Sequence, residues 1–354
     1  MPARSLPLAQ QLLSFNTINP PGNELACVQF LAAWLQEQGF VVKLTAFGEQ
    51  RANLIARLPG QMPGKPLAFT GHLDTVPLGN QPWQFDPFGH DIDGDRLYGR
   101  GASDMKAAVA AFVLACVQHK AAIAAGRGVV LLLTGGEETG CHGAQALIAA
   151  GQLPEIGALI VGEPTANQPV IGHKGALWLR CETRGKTRTE PCRSWASTPS
   201  TWRLMRWPTL NVGRIEGGLN INSVPDRAAF DVDIRSAPNL QHAVIRQQLA
   251  TFLGDSVHIS TLVDLPAVLS PERHQWIQSV YRACEAVTQE PAEARIVPYF
   301  TDASLLLPAL SDPPCIILGP GEPTLAHQTD EYCLVSRLSE AEQIYGQLIA
   351  GWMR

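Results

Sequence analysis

The sequence predicts an α/β fold: a larger domain with a largely parallel central sheet flanked by helices, interrupted by a smaller inserted α+β domain. Three observations carry this. Short apolar runs alternate with helical patterns through the first half of the chain, as in domains built around a parallel sheet. Four of these runs lead through glycine to an acid or a histidine. From about Ala176 the pattern changes to alternating strands around one amphipathic helix. The chain's 354 residues suffice for about two domains with a large buried core.

Taken in order, residues 23–39 (NELACVQFLAAWLQEQG) place Val28, Leu31, Trp34 and Leu35 at helical spacing, with Gly39 as a stop. Residues 54–58 and 67–70 read as strands, and residues 105–119 read as an Ala-rich helix opening directly after Asp104. The run GVVLLLT (128–134) is continuously apolar and short, which suits a strand buried on both faces. Residues 158–161 and 315–318 repeat the form. Between them ALWLRCETRG, LNVGRIEGG, AAFDVDIRS and VHISTLVD alternate as half-buried strands, and residues 240–253 form the amphipathic helix. A further helix is expected near residues 272–287. The expected domains are therefore 1–175 with 269–354, and an insertion at 176–268.

Composition narrows the function. The chain is 45% hydrophobic and 17% charged, the balance of an ordinary globular protein. A net charge of −5 without a basic run argues against nucleic acid or an anionic membrane as partner. Eight scattered cysteines without a C-x-x-C pair read as buried, reduced thiols. The start, MPARSLPLAQQLLSF, lacks a long apolar stretch with a cleavage site, and no eighteen apolar residues run together. The expected location is the cytoplasm.

The chemistry concentrates in residues 66–106. An apolar run ends at Thr70, Gly71 follows, and then His72 and Asp74 stand two apart, with Asp104 in a Gly/Ser turn further on. Imidazole and carboxylate are ligands that a zinc-like ion accepts. Asp74 is placed to receive the second ring N–H of His72. An H-x-D triplet alone is a weak signal and more often makes a turn hydrogen bond than a metal site. The pattern recurs, however, at Thr134-Gly135-Gly136-Glu137-Glu138, at Val161-Gly162-Glu163, and at Leu318-Gly319 leading to His327. A single acid there would be a solvated loop residue or a helix cap. Four with the same placement point to one pocket outside the carboxyl ends of the strands.

These stretches resemble the M20 family of metal-dependent aminoacylases and peptidases, in the acetylornithine deacetylase and succinyl-diaminopimelate desuccinylase group. The resemblance rests on GHLDTVP (71–77), W-x-x-DPF (83–88), GDRLYGRGASDMK (94–106), GGEETG (135–140), GEPT (162–165) and AHQTDEY (326–332), in order over nearly the full length. It implies that His72, Asp104 and Glu163 hold one divalent ion. Asp104, Glu138 and His327 would hold a second, with Asp104 as the bridge. Zinc is the expected metal, with cobalt or manganese as alternatives. Glu137 would be the general base, Asp74 would orient His72, and a cis peptide would follow Asp104. Asn222 and Arg235 match substrate-binding positions, and a guanidinium suits an α-carboxylate. The insertion would serve as lid and dimerisation domain, making the protein a homodimer.

One segment departs from the pattern. Where the family has a small residue, a histidine and an amphipathic dimer helix, residues 188–207 read RTEPCRSWASTPSTWRLMRW, with three of the chain's eight tryptophans, four arginines and no apolar period. Writing it in GC-rich codons and restoring one G after Thr187 yields TAHGAMPELGVNTIYLAADAL, the kind of sequence the family has there. The expectation is a frameshifted stretch with the frame regained by Pro208; the alternative is a divergent loop. The lost histidine would stabilise the oxyanion in the partner's site, so turnover is expected to be compromised.

The leading expectation is thus a two-metal amidohydrolase acting on an N-acyl amino acid, deacetylase-like first and desuccinylase-like second. A carboxypeptidase or dipeptidase on the same scaffold is the alternative within the family. A catalytically impaired, metal-dependent binding protein is the alternative outside enzymology.

Overall fold

The structure, a computed structural model, describes residues 3–184, 208–218 and 226–354. The principal strands in chain order are β1 (Val41–Gly48), β2 (Arg51–Leu58), β3 (Leu67–His72), β4 (Val129–Thr134), β5 (Ala158–Val161), β6 (Gly175–Arg184), β7 (Thr209–Gly217), β8 (Arg227–Ser236), β9 (Val257–Leu265) and β10 (Cys315–Ile317).

The chain divides into two compact units. The first comprises Met1–Gly172, Ser270–Arg295 and Thr301–Arg354; the second comprises His173–Leu269 and Ile296–Phe300. The last piece differs from the sequence expectation, which leaves it in the first unit. It joins the second through pairing that no five-residue pattern announces: the Lys174 N–H donates to the Val297 carbonyl at 2.9 Å.

The first unit is built on a six-stranded sheet in the order β1-β2-β4-β3-β5-β10. β3 lies parallel to β4 and β5, and β5 parallel to β10, while β2 runs antiparallel to both its neighbours. Every residue of β3 and β4 is buried, as continuous apolar runs covered on both faces should be. Register sets His72 abreast of Thr134, and Thr70 and Ile317 abreast of Val161. The carboxyl ends of four neighbouring parallel strands therefore meet along one edge.

Helices cover the sheet. Leu25–Glu37 buries Val28, Leu31 and Leu35 as the spacing predicts, and Ala107–Gln118 buries nearly its whole surface. Phe69 of β3 packs between Phe112, at 5.4 Å, and Tyr345 of the C-terminal helix Val335–Trp352, at 5.5 Å. Burying a side chain of that size is worth about 1.5–3 kcal/mol.

The Ala-rich helix begins at Ala107, two residues later than its sequence start, because Ala102–Lys106 form an irregular turn. In that turn Met105 wedges against the sheet. A Cβ on Gly71 would meet its Cε at 2.6 Å, and one on Gly162 would meet it at 2.8 Å. A side chain at either glycine would push Met105 aside, and this close approach brings the residue before Met105 to the strand ends.

The second unit is an antiparallel sheet, β7-β8-β6-β9, with the helix His242–Leu253. Leu177, Leu179, Cys181, Val232 and Ile234 form its core, against which Ile245, Leu249 and Leu253 pack. Ser236 Oγ, His242 and Asp264 form a line, with 2.6 Å to each ring nitrogen. Ser236 is fully buried, so the line ties β8 to β9 and the helix start and exposes no nucleophile.

The segment 188–207 and Asn222 lie outside the described residues. Among the described residues no helix is long and apolar enough to cross a membrane, and seven cysteines are buried and free.

Candidate metal centre

At the end of β3 the His72 ring is buried, and its Nε2 lies 3.0 Å from Asp104 Oδ1 and 3.7 Å from Glu163 Oε1. The other Asp104 oxygen, Oδ2, lies 3.3 Å from His327 Nε2, which is 3.1 Å from Glu138 Oε2. Two groups result, His72–Asp104–Glu163 and Asp104–Glu138–His327, each with ligand atoms within 4.8 Å of one another. Asp104 belongs to both, one oxygen facing each. The fold thus gathers five side chains from widely separated parts of the sequence.

His72 departs from one expectation. Its Nδ1 lies 2.9 Å from the backbone carbonyl of Asp74 and 3.5 Å from the Asp74 carboxylate, so the carbonyl is the closer acceptor. The carboxylate is turned to other donors: Asn19 Nδ2 at 2.9 Å, the Glu137 N–H at 3.2 Å and the Glu138 N–H at 3.3 Å. Asp74 therefore holds the ring with its main chain and the Glu137–Glu138 turn with its side chain.

The electrostatics are those of crowded acids. Burial, then the charge of Glu163, pushes Glu137 well above the usual carboxylate range. Burial, then Asp104, raises Glu163 in the same way and raises Glu138 to about 7. Burial also works to raise Asp104, but hydrogen bonds with His327 and His72 outweigh it and hold the carboxyl low. Hydrogen bonds to Asp104 and Glu138 lift His327 to about 10. Burial opposes a charge on His72, yet Asp104 and Glu163 raise it well above an ordinary imidazole.

Such a cluster fits divalent cations. Its donors are all imidazole nitrogens and carboxylate oxygens, the set that zinc and harder ions accept. Buried oxygens on Glu137 and Glu138, Oε1 in each case, have no hydrogen-bond partner. Concentrated negative charge and unsatisfied acceptors are what a bound cation would compensate.

Several supporting residues were missed by sequence reasoning. Glu331 Oε1 accepts the Ser103 and Asp104 N–H groups at 2.8 and 2.9 Å. Asp302 accepts the Thr134 hydroxyl at 2.5 Å. Glu331 stands inside AHQTDEY, four residues beyond His327, and that proximity was the available signal; Asn19 and Asp302 have none. Arg235 lies on β8 of the second unit, its Nε 3.0 Å from Asp233 and its guanidinium 5.5 Å above the Phe300 ring.

The chain is similar to several known proteins. Among curated relatives, a probable succinyl-diaminopimelate desuccinylase of Staphylococcus epidermidis is 26% identical over 88% of each chain. An acetylornithine deacetylase of Klebsiella pneumoniae is 28% identical over 91% of this chain and 89% of its own. Among solved structures, an M20 family metallo-carboxypeptidase of Sulfolobus solfataricus shares the fold with a TM-score of 0.81, at 17% identity over 99% of both chains. A dinuclear metal binding peptidase from Bacillus subtilis aligns with a TM-score of 0.71, at 16% identity over 99% of this chain and 98% of its own. Residues 68–351, which contain all five gathered side chains and Glu137, match the model of Peptidase family M20/M25/M40, so the chain belongs to that family of metal-dependent hydrolases.

Proposed function

We propose that the protein hydrolyses the amide bond of an N-acyl amino acid, with acetylornithine deacetylase-like specificity first and desuccinylase-like specificity second. The observation that carries the reading is Asp104, whose two oxygens each face a separate ligand group. His72 and Glu163 would complete one cation site, Glu138 and His327 the other. Two divalent cations held there, zinc first, would supply Lewis acidity for the scissile carbonyl and for a water.

The chain's own residues handle the proton. Glu137 and Glu138 are adjacent, and their amides are fixed by one carboxylate, that of Asp74. Glu138 faces His327. Glu137, with an unpartnered buried oxygen, takes the proton of the attacking water and delivers it to the departing amine as the C–N bond breaks. A free amine and a carboxylate are the products. On resemblance alone, Arg235 would bind the substrate α-carboxylate and Asn222 would join it.

The partner is a small molecule, the location cytoplasmic, and the assembly a homodimer if the inserted domain folds. The curated relatives named above favour acyl amino acids over peptides. A panel of N-acetyl amino acids, N-succinyl amino acids and dipeptides decides the class. In Glu137→Gln, kcat should fall about 10²–10⁴-fold while two zinc ions remain bound. Zinc-loaded protein that hydrolyses nothing, or a variant as active as the parent, overturns the reading.

A further inference from the structure

Glu331 is 1% exposed and surrounded by donors. One oxygen accepts the Ser103 and Asp104 N–H groups; the other accepts the Gly101 N–H at 3.2 Å and Arg100 Nη1 at 2.6 Å. Three main-chain amides and a guanidinium converge on a single carboxylate, and only an acceptor-only anion with several lone pairs can serve all of them.

Arg100, also 1% exposed, extends the connection. Its Nη1 donates to the Gln328 carbonyl at 3.2 Å and its Nη2 to the Pro77 carbonyl at 3.1 Å, and its guanidinium stacks 5.1 Å from the Trp83 ring. Gln328 adjoins His327. The Ser103 hydroxyl donates to the Tyr332 carbonyl at 2.7 Å. The ion pair thus joins the loop that presents Asp104 to the loop that presents His327.

The two candidate cation sites depend on this unequally. His72 is the last residue of a strand in register with two neighbours, its ring buried and bonded to a main-chain carbonyl. His327 stands on a loop at positive φ, and its side chain is 51% exposed.

We propose that Glu331, paired with Arg100, is a positioning residue that sets Asp104 against His327 and so fixes the affinity of the Asp104–Glu138–His327 site for its divalent cation. The inference rests on the two-ion reading. Groups that orient metal ligands typically contribute about 10–100-fold in affinity.

The test uses the full chain, stripped of metal and titrated with zinc against a chromophoric chelator. Glu331→Gln keeps the shape and one acceptor oxygen but turns an amide N–H₂ toward donors; Arg100→Gln removes the other partner. Glu342→Gln is the control, because Glu342 is a comparable buried clamp on the Arg4 and Ser5 amides. Wild type should bind two zinc ions. Both clamp variants should keep one tight site and weaken the other about 10–100-fold, while the control binds as wild type even at an equal loss of melting temperature. Cobalt-loaded clamp variants should show an altered absorption envelope. If wild type binds two ions and the clamp variants match it, or the control weakens equally, the clamp is overturned and the two-ion reading stands. A wild-type chain that binds no zinc overturns both.

Discussion

Acidification should destabilise the second unit through His173. This side chain is fully buried; its Nδ1–H donates to the Lys174 carbonyl at 2.8 Å, and its Nε2 has no hydrogen-bond partner. Burial, only partly offset by that backbone bond, pushes its pKa from 6.5 down to about 4. Above pH 6.5 the imidazole is neutral in folded and unfolded chains alike, and its contribution is constant. Between there and about pH 4 the unfolded chain binds a proton that the folded one refuses, so stability falls as pH falls. Each unit of difference is worth about 1.36 kcal/mol, giving about 3 kcal/mol across the window. Urea unfolding of wild type and His173→Gln from pH 7 to 4 measures this directly. Carboxylates titrate in both proteins and cancel in the difference. Wild type should lose about 3 kcal/mol more than the variant; curves that stay parallel refute the burial argument.

Two further outcomes are expected. Zinc at about one hundred times its Kd should stabilise the fold by about 2.7 kcal/mol, because it relieves the mutual repulsion of Asp104, Glu137, Glu138 and Glu163; melting with zinc and with a chelator measures the gain, and identical curves count against a metal site. A chain carrying TAHGAMPELGVNTIYLAADAL in place of 187–207 should gain about 10²–10³-fold in kcat if it restores an oxyanion donor; equal turnover of the two proteins, or a gene sequence with the present frame intact, ends the frameshift hypothesis.

Much of the fold was legible because its central strands are buried on both faces. β4 and β5 write themselves as unbroken apolar runs, and each observed strand lies within one residue of its sequence reading. β1 was not legible. It is an edge strand whose residues are exposed or half-buried throughout, so Lys43 and Thr45 blur the signal. The helix Val335–Trp352 escaped notice although Leu338, Ala341, Tyr345 and Leu348 recur at helical spacing, since the charged positions between them and Gly346 obscure the stripe.

The gathered side chains were readable for a different reason. His72 closes its strand and Glu137, Glu138 and Glu163 stand within four residues of theirs, and a parallel sheet leaves few places for such residues to go. What no linear pattern could give is the set of buried partners that hold them. Asn19 donates to the Asp74 carboxylate, while Asp302 and Glu331 accept from hydroxyl or main-chain donors of distant segments, and such pairings exist only once the chain has folded.

The acceptor that aims the His72 imidazole is a peptide oxygen of Asp74. Side-chain replacement at position 74 can release Asn19 and the two glutamate amides, yet it leaves that oxygen where it is. Alanine scanning is therefore blind to the contact, and a mild phenotype at Asp74 would report on the acidic turn while saying nothing about how the imidazole is aimed.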